Sequence, residues 1–248
     1  MRVLFTGNGT SGSWQIRGRQ LGWEMGGLVV PKAQLRHIEE VDIVVVVKRV
    51  PDSLLESLRA SGKPWVFDVV DFYPQPACSS WDKRESIAWA TERIDSLRPT
   101  AVIWPNRRMA EDVDYDGPSI VLPHHCWPDI SVNPIRPEIK AIGYEGEPNY
   151  LAEWKKLIAS ECKKRGWRFI VNPKNLADVD ILVALRGGEW NGYCQRHWKS
   201  NIKLTNAHGS GTPFIGCRED GYIENATGAE YWADSEAEFV TALDWLQR

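Results

Sequence analysis

Short apolar runs that alternate with longer amphipathic segments constrain the fold of this chain more than any other feature. The clearest run, Ile43–Val47, is too short for a helix and is typical of a parallel strand buried on both faces. The other strands predicted in the first half are residues 2–6, 28–30, 64–70, 101–104 and 119–123, and the predicted helices are 14–25, 33–40, 51–60, 82–97 and 107–112. Alternation of this kind predicts βαβ units and a parallel sheet with helices on both faces.

The same alternation restarts after a stretch punctuated by Pro128, Pro134 and Pro137. The predicted strands of this half are residues 140–144, 168–171, 177–185 and 213–216, and the predicted helices are 150–165, 201–209 and 235–247. We therefore predict an α/β fold of two Rossmann-like, doubly wound parallel-sheet domains, residues 1–135 and 136–248, that face a cleft. Ligands of such sheets bind beyond the carboxyl ends of the strands, so the loops after strands should carry the function.

Composition and charge exclude several classes of protein. A chain of 248 residues with 43% hydrophobic residues can bury a core, which excludes wholesale disorder. The net charge of -3 is spread evenly along the chain, which argues against a general nucleic-acid-binding surface. Five cysteines without a CxxC pair argue against a disulfide framework and a structural zinc site.

The apolar runs also bear on location. None approaches the ~20 residues that a membrane helix needs. The first residues have the pattern of a strand rather than of a signal peptide. We therefore expect a cytoplasmic protein.

Residues 199–224 hold the densest set of candidate binding residues. Lys199 and Lys203 are four residues apart and are expected to share one helix face. Two ammonium groups beside the free N–H groups of a helix start suit a diphosphate. After the next strand, Glu219 and Glu224 offer carboxylates to sugar or ribose hydroxyls, and Gly221 permits close approach of the backbone. The alternative, a solvated helix with a glycine cap and an ordinary loop, fits this spacing equally well.

This segment resembles the donor-binding half of GT-B glycosyltransferases, in which a helix of the pattern K-L-x-N/E-A-x-x-x-G-T-P-x-I precedes a loop ending in Glu. The matching residues are Lys203-Leu204, Asn206-Ala207, Gly211-Thr212-Pro213 and Ile215, with Glu224 at the acidic loop position. Residues 177–185 and 228–246 resemble the family's A-D-I-x-V-A strand and its closing strand and helix. Asn206 stands at one of the family's paired-glutamate positions and the chain is short for the family, which implies altered ribose recognition and trimmed loops.

The resemblance covers residues 140–248 and implies a metal-independent hexosyltransferase. Such an enzyme moves a hexose, with UDP-glucose as the first expected donor, from a nucleoside diphosphate sugar to an acceptor hydroxyl. Residues 1–135 would be the acceptor side and residues 136–248 the nucleotide-sugar side. The donor-binding residues implied in the second half are Arg186, Lys199, Lys203, Asn206, Glu219, Gly221, Tyr222 and Glu224. No metal or other cofactor is expected, because the cations and the helix start would neutralise the leaving diphosphate.

A Gly-rich loop follows the first predicted strand and opens a helix. Its candidate residues are Gly9, Ser11, Gly12 and Ser13, and a loop of this kind can cradle a phosphate. It has neither a G-x-G-x-x-G pattern nor the lysine of a P-loop, which weakens a dinucleotide or nucleoside triphosphate interpretation. In GT-B enzymes the matching loop lies under the sugar and the acceptor, and the resemblance assigns these residues to the donor.

Three residues at strand ends are candidates for the catalytic base. Asp71 follows the strand at 64–70 and is better placed for an inverting transfer than Asp68, which we expect to be a buried structural acid. His124 and His125 end the last strand of the first half and can act as base or as phosphate donor. Together with Cys126 they suggest zinc, but neighbouring residues on a strand point to opposite faces, so no metal site is expected.

The acceptor stays open between a glycan or small metabolite and, as a second candidate, a hydroxymethylated DNA base of the phage type. For DNA, a local groove would be lined by Arg17, Arg19, Arg107 and Arg108, with Trp14 or Trp81 near an extruded base. The near-neutral charge counts against DNA, and a surface role for Arg17 and Arg19 is equally compatible with the sequence. Two other functions remain: a nucleotide-sugar-binding protein without catalysis, and a sugar-nucleotide epimerase of the same fold.

Overall fold

The computed structural model describes residues 1–134 and 136–248, and it divides into two compact units. The first unit consists of Met1–Pro74, Lys83–His124 and Trp198–Ser200. The second consists of Gln75–Asp82, His125–His197 and Asn201–Arg248. Residue 135, at which the sequence analysis set the domain boundary, lies outside the described residues.

The first unit is built on a six-stranded sheet in the order β2-β1-β3-β4-β5-β6, and all of its strand pairs are parallel. Its strands are β1 (Val3–Gly7), β2 (Leu28–Val29), β3 (Ile43–Val47), β4 (Trp65–Asp68), β5 (Ala101–Trp104) and β6 (Ser119–Val121). The chain leaves β1 toward β2 and returns on the other side of β1 as β3. This reversal makes the carboxyl ends of β1 and β3 the topological switch point, where doubly wound sheets bind ligands.

The helices of the first unit follow the predicted alternation. A stretch with π-type hydrogen bonds, Trp14–Gln20, continues into α1 (Leu21–Glu24), followed by α2 (Leu35–Glu39), α3 (Asp52–Ser61), α4 (Lys83–Leu97) and α5 (Arg107–Val113). The side chain of Asn106 caps α5 by accepting a hydrogen bond of 2.8 Å from the Met109 N–H. Predicted and observed elements differ here mainly at their ends.

The second unit is built on a five-stranded parallel sheet in the order β11-β10-β9-β7-β8. Its strands are β7 (Ala141–Tyr144), β8 (Arg168–Val171), β9 (Ile181–Ala184), β10 (Phe214–Gly216) and β11 (Tyr231–Trp232). Its helices are α6 (Trp154–Arg165), α7 (Tyr193–His197), α8 (Ile202–Ser210), α9 (Asp220–Ile223) and α10 (Glu236–Leu246), with short 3-10 turns at Ala77–Ser80, Pro148–Leu151, Leu176–Asp178 and Gly188–Trp190. The switch point of this sheet lies between β7 and β9.

Both faces of the second sheet are buried, as the continuous apolar run of β9 predicts. Ile181 and Val183 belong to one core layer, which includes Phe239 of α10. Leu182 belongs to the opposite layer, which includes Leu204 of α8. Because successive side chains of a strand point to opposite faces, a run without polar residues is required wherever helices cover both sides.

A buried ion pair in the first unit corrects one sequence-based interpretation. Arg17 donates from Nε to Asp68 Oδ2 at 2.7 Å and from Nη1 to the carbonyl oxygen of Leu122 at 2.9 Å. Arg17 is 1% exposed and Asp68 is equally buried, so Asp68 is the structural acid that the sequence predicts. The prediction of Arg17 in a DNA-facing groove is wrong, because this guanidinium is fully engaged inside the unit.

Trp14 requires the same correction. Its side chain is 2% exposed and packs with Val47 and Val70 in a small apolar cluster. An indole held there has no free face for an extruded base.

Among the described residues, no helix is long and apolar enough to cross a membrane, and all five cysteines are free.

We predict that Asp68→Ala destabilises the protein by about 3–5 kcal/mol, because it leaves the buried Arg17 guanidinium without its counter-charge. Urea unfolding at pH 7 measures the change. Arg19→Met is the control. It removes a half-buried arginine two positions after Arg17 that does not contact Asp68, and it should change the free energy of unfolding by less than ~1 kcal/mol. Equal effects of the two variants would contradict a structural role for the ion pair.

Candidate functional site

In the second unit, charged side chains gather at the carboxyl ends of β7 and β9, on both sides of the switch point. Glu145 and Gly146 follow β7, and Arg186 and Gly187 follow β9. Lys203 lies in the first turn of α8. Its Nζ would lie 3.6 Å from a Cβ built on Gly146, so α8 begins at this edge of the sheet.

Lys203 is held against an aromatic face. Its Nζ lies 4.2 Å from the ring centroid of Tyr144, and the residue is only 9% exposed. The Tyr144 hydroxyl donates a hydrogen bond of 3.1 Å to the carbonyl oxygen of Glu147, which fixes the ring. This cation–π contact fixes the position of the Lys203 ammonium group at the edge of the sheet.

Arg186 is held by an ion pair and by its own backbone. Its Nε donates to Glu219 Oε1 at 2.6 Å, and its guanidinium lies 5.5 Å from the ring centroid of Tyr150. The Arg186 carbonyl oxygen accepts a hydrogen bond of 3.0 Å from the indole N–H of Trp154. Glu219 Oε2 is buried and has no hydrogen-bond partner among the described residues, so this carboxylate keeps an unused acceptor beside Arg186.

Glu145 and Asn206 form a second polar contact at the same edge. Asn206 Nδ2 donates to Glu145 Oε2 at 3.2 Å, and Asn206 Oδ1 accepts from the backbone N–H of Trp127 at 3.2 Å. Burial raises the pKa of Glu145, although the bond from Asn206 and the charge of Lys203 act in the opposite direction. Glu145 is a candidate binding residue that is absent from the predicted set, although an acid directly after a buried strand is a usable signal.

Besides Glu219, which precedes α9, three predicted donor-binding residues lie in or beside this helix, where the sequence predicts a loop. Tyr222 is 1% exposed, and its ring packs edge-on against Phe214 at 5.4 Å. Gly221 is buried inside the helix, and Glu224 is exposed at its end. The prediction of a loop is wrong, because burial of the Tyr222 ring in the core favours a helical turn over an open loop.

Lys199 does not share a helix face with Lys203, which corrects a second expectation. Helix α8 begins only at Ile202, and Lys199 lies in the short segment Trp198–Ser200 that belongs to the first unit. There its Nζ donates to Asp71 Oδ2 at 2.7 Å. The tertiary ion pair, rather than helical spacing, sets the position of this lysine.

Asp71 lies between two lysines in the first unit. Its Oδ1 is 2.6 Å from Lys48 Nζ, which follows β3, and its Oδ2 accepts from Lys199. Lys48 has a φ of 65° and Val70 a φ of 48°, so left-handed residues turn the chain sharply after β3 and β4. This conformation is strained for a β-branched valine, and strain of this kind concentrates at functional sites.

The two ammonium groups hold the pKa of Asp71 well below its usual range, although burial acts to raise it. A carboxylate this acidic is a weak proton acceptor. The contacts account for Asp71 as the group that positions Lys48 and Lys199. Its role as catalytic base stays a prediction.

The other predicted donor-binding residues of the first half lie in the loop that joins the carboxyl end of β1 to the helical stretch Trp14–Gln20. Gly9 has a φ of 84° and would clash with Pro31 if it had a Cβ, so this position requires glycine. Ser11 Oγ accepts a hydrogen bond of 3.2 Å from the Trp14 N–H. Gly12 and Ser13 complete the loop before the helix, with Gly12 exposed. The conformation of Gly9 and the hydrogen bond of Ser11 therefore define the shape of this loop.

His124 is the last residue of its segment in the first unit and is 4% exposed. His125 is half-buried and belongs to the second unit. No group of three His, Cys, Asp or Glu side chains that could hold a metal ion occurs in the described part of the chain. The catalytic roles of both histidines stay predictions.

Comparison with known proteins gives relatives of the structure but not of the sequence. No family model matches the chain, and no curated protein matches it. The apo form of the lipopolysaccharide outer core galactosyltransferase WaaB is similar over 100% of this chain and 90% of its own, with a TM-score of 0.53 at 10% identity.

Two further structures are similar. The accessory secretory protein 1, 2 and 3 structure from Streptococcus pneumoniae gives a TM-score of 0.50 at 9% identity, over 83% of this chain and 46% of its own. AviGT4, a glycosyltransferase involved in avilamycin A biosynthesis, gives a TM-score of 0.46 at 14% identity, over 80% of this chain and 63% of its own. With the two parallel sheets, the full-length likeness to WaaB confirms the predicted α/β fold of two Rossmann-like domains, a fold of the GT-B glycosyltransferase type.

We predict that Asp71→Asn lowers stability at pH 7 and that the deficit shrinks as the pH falls. The folded-state pKa of Asp71 is depressed, so its stabilisation is full above the unfolded-state value of ~3.9 and is lost progressively as the pH falls from there through the folded-state pKa. Urea unfolding midpoints at pH 7 and pH 3 measure the difference from the native chain. The exposed Asp95→Asn is the control, and a deficit at pH 3 as large as at pH 7 would contradict the ion-pair account.

Proposed function

We propose that the protein is a glycosyltransferase that moves a hexose from a nucleoside diphosphate sugar to an acceptor hydroxyl. The observation that carries this proposal is the pair of cations at the switch point of the second sheet. Lys203, on the face of Tyr144, and Arg186, beside Tyr150, are fixed by their aromatic neighbours at the edge where doubly wound sheets bind ligands. The GT-B type of fold supports the same assignment by analogy.

The chemistry needs these cations on the leaving group. The bond between the anomeric carbon and the diphosphate oxygen breaks, and the anomeric carbon bonds to the acceptor oxygen, whose proton passes to a base. Negative charge then grows on the diphosphate. Lys203, Arg186 and the N–H groups that open α8 would stabilise that charge without rearranging during the reaction.

UDP-glucose is the first donor that we propose, with Asn206 and Glu145 as the polar pair offered to hydroxyls of the ribose or the hexose. Glu219 would act through Arg186, since its Oε1 is engaged by that guanidinium. Of the predicted bases, we favour His124 and His125, because the ion pairs of Asp71 with Lys48 and Lys199 make its carboxylate a weak base. Cytoplasmic location and independence of metal ions stay predictions.

For the acceptor, we propose a glycan or a small metabolite. Arg17 and Trp14, which the DNA alternative would use, are both buried in the first unit. A hydroxymethylated base would therefore lose one of the four arginines and one of the two tryptophans that this alternative offers it. This loss makes a DNA base the weaker of the two acceptor candidates.

We predict that one class of nucleotide sugar raises the melting temperature of the native chain and that Lys203→Met abolishes the shift. A ligand at 100 times its dissociation constant stabilises a protein by ~2.7 kcal/mol, which moves the midpoint by a few degrees. A thermal-shift panel of UDP-, GDP-, ADP- and dTDP-sugars, with and without magnesium, measures it. Lys163→Met, an exposed lysine in the last turn of α6, is the control and should keep the full shift.

The outcomes separate the candidate functions. No shift with any nucleotide sugar would contradict the donor site. A shift without release of nucleoside diphosphate in the presence of acceptor pools would indicate a binding protein without catalysis. Conversion of the donor sugar in the absence of any acceptor would indicate an epimerase.

A further inference from the structure

A pocket of 560 Å³ in the first unit lies outside the donor site. Its lining includes Asn8, which follows β1, and Lys48 and Arg49, which follow β3. These residues flank the topological switch point of the six-stranded sheet, where ligands of doubly wound sheets bind. The volume lies within the ~300–1,000 Å³ of small-molecule sites.

One wall of the pocket is aromatic. The rings of Phe72 and Trp89 lie 4.9 Å apart with an interplanar angle of 33°, and Phe67 packs edge-on against Phe72 at 5.4 Å. Trp89, Arg93 and Leu97 line the pocket from α4. Because they are spaced four residues apart, they lie on one face of that helix. The aromatic wall is therefore rigid and apolar, and Arg93 lies between Trp89 and Leu97 on the α4 side of the pocket.

The charged residues that line the pocket are all cations: Lys48, Arg49 and Arg93. Lys48 is engaged by Asp71. The guanidinium groups of Arg49 and Arg93 have no ion pair or hydrogen bond with any described residue, and both side chains are exposed. Two uncompensated guanidiniums at one pocket favour an anion, and their planar donor set matches carboxylate and phosphate groups.

We propose that this pocket binds the acceptor and that the acceptor is an anionic sugar, one that carries a carboxylate or a phosphate. Arg49 and Arg93 would bind the anionic group, and the sugar ring would lie along the wall of Phe72 and Trp89. This inference rests on the proposed glycosyltransferase function, since that function supplies the need for an acceptor. It adds the chemical class of the acceptor, which neither the fold nor the donor site indicates.

Binding of four probes to the full chain tests the proposal without requiring turnover. Isothermal titration with glucose 6-phosphate, glucuronate, glucose and inorganic phosphate compares the two anionic groups, the neutral ring and the anion alone. We expect at least one charged sugar to bind 10-fold or more tightly than both glucose and inorganic phosphate. The tighter of the two charged sugars identifies the anionic group.

Variants assign the binding to this pocket. The double variant Arg49→Gln with Arg93→Gln should weaken binding of the charged sugar 10-fold or more. Arg84→Gln should not, because Arg84 is an exposed residue nine positions from Arg93 and so on the opposite side of α4. Melting temperatures of all three chains verify that they are folded.

Several results would overturn the proposal. Glucose binding as tightly as the charged sugars would remove the need for an anion, and inorganic phosphate binding as tightly would remove the role of the aromatic wall. Unchanged binding in the double variant would place the site elsewhere.

The change in melting temperature that nucleotide sugars cause in the double variant separates a failure of the anionic-acceptor proposal from a failure of the proposed glycosyltransferase function. A donor shift without charged-sugar binding contradicts only the acceptor class. Charged-sugar binding without a donor shift contradicts the glycosyltransferase function, and with it the acceptor role of the pocket.

Discussion

Burial of both faces of each parallel sheet is the constraint on which the rest of this molecule depends. A strand such as β3 or β9 has no position for a charged side chain, because helices and apolar residues cover both sides. Charged groups must therefore leave the sheet where the strands end. In parallel sheets those ends share an edge, so Glu145, Arg186 and Glu219 of the second unit follow neighbouring strands although they are distant in sequence.

The charges at these edges are held in two ways. Arg186 meets Glu219, and both Lys48 and Lys199 meet Asp71, so these cations are balanced within the protein. Lys203 is held by the face of Tyr144. A carboxylate holds a cation through its opposite charge, whereas an aromatic ring holds a cation through the quadrupole of its π-system.

The sequence predicts the order of the elements well and the site only in part. Strands such as Ala101–Trp104 and Arg168–Val171 are recovered with their bounds, because period and burial are local properties of the chain. The position of Lys199 is not local: it depends on Asp71, 128 residues away. Tyr222 is one of the donor-binding residues that the family resemblance implies, whereas its ring completes the core beside Phe214. Long-range packing determines where Lys199 and Tyr222 lie, and the spacing of residues along the sequence does not reveal it.

Glu145 and Asp71 demonstrate that the position of an acid after a strand does not determine its chemistry. Both follow a buried strand directly or within a few residues, and both are half-buried. The two lysines hold the pKa of Asp71 far below its usual range, so this carboxylate stays ionised and binds a proton poorly. Burial outweighs the nearby Lys203 at Glu145 and raises its pKa, so this carboxyl takes up a proton more readily. The environment thus assigns opposite tendencies to two similar side chains: Asp71 acts as a fixed charge that positions lysines, and Glu145 is the acid at these edges better suited to exchange a proton.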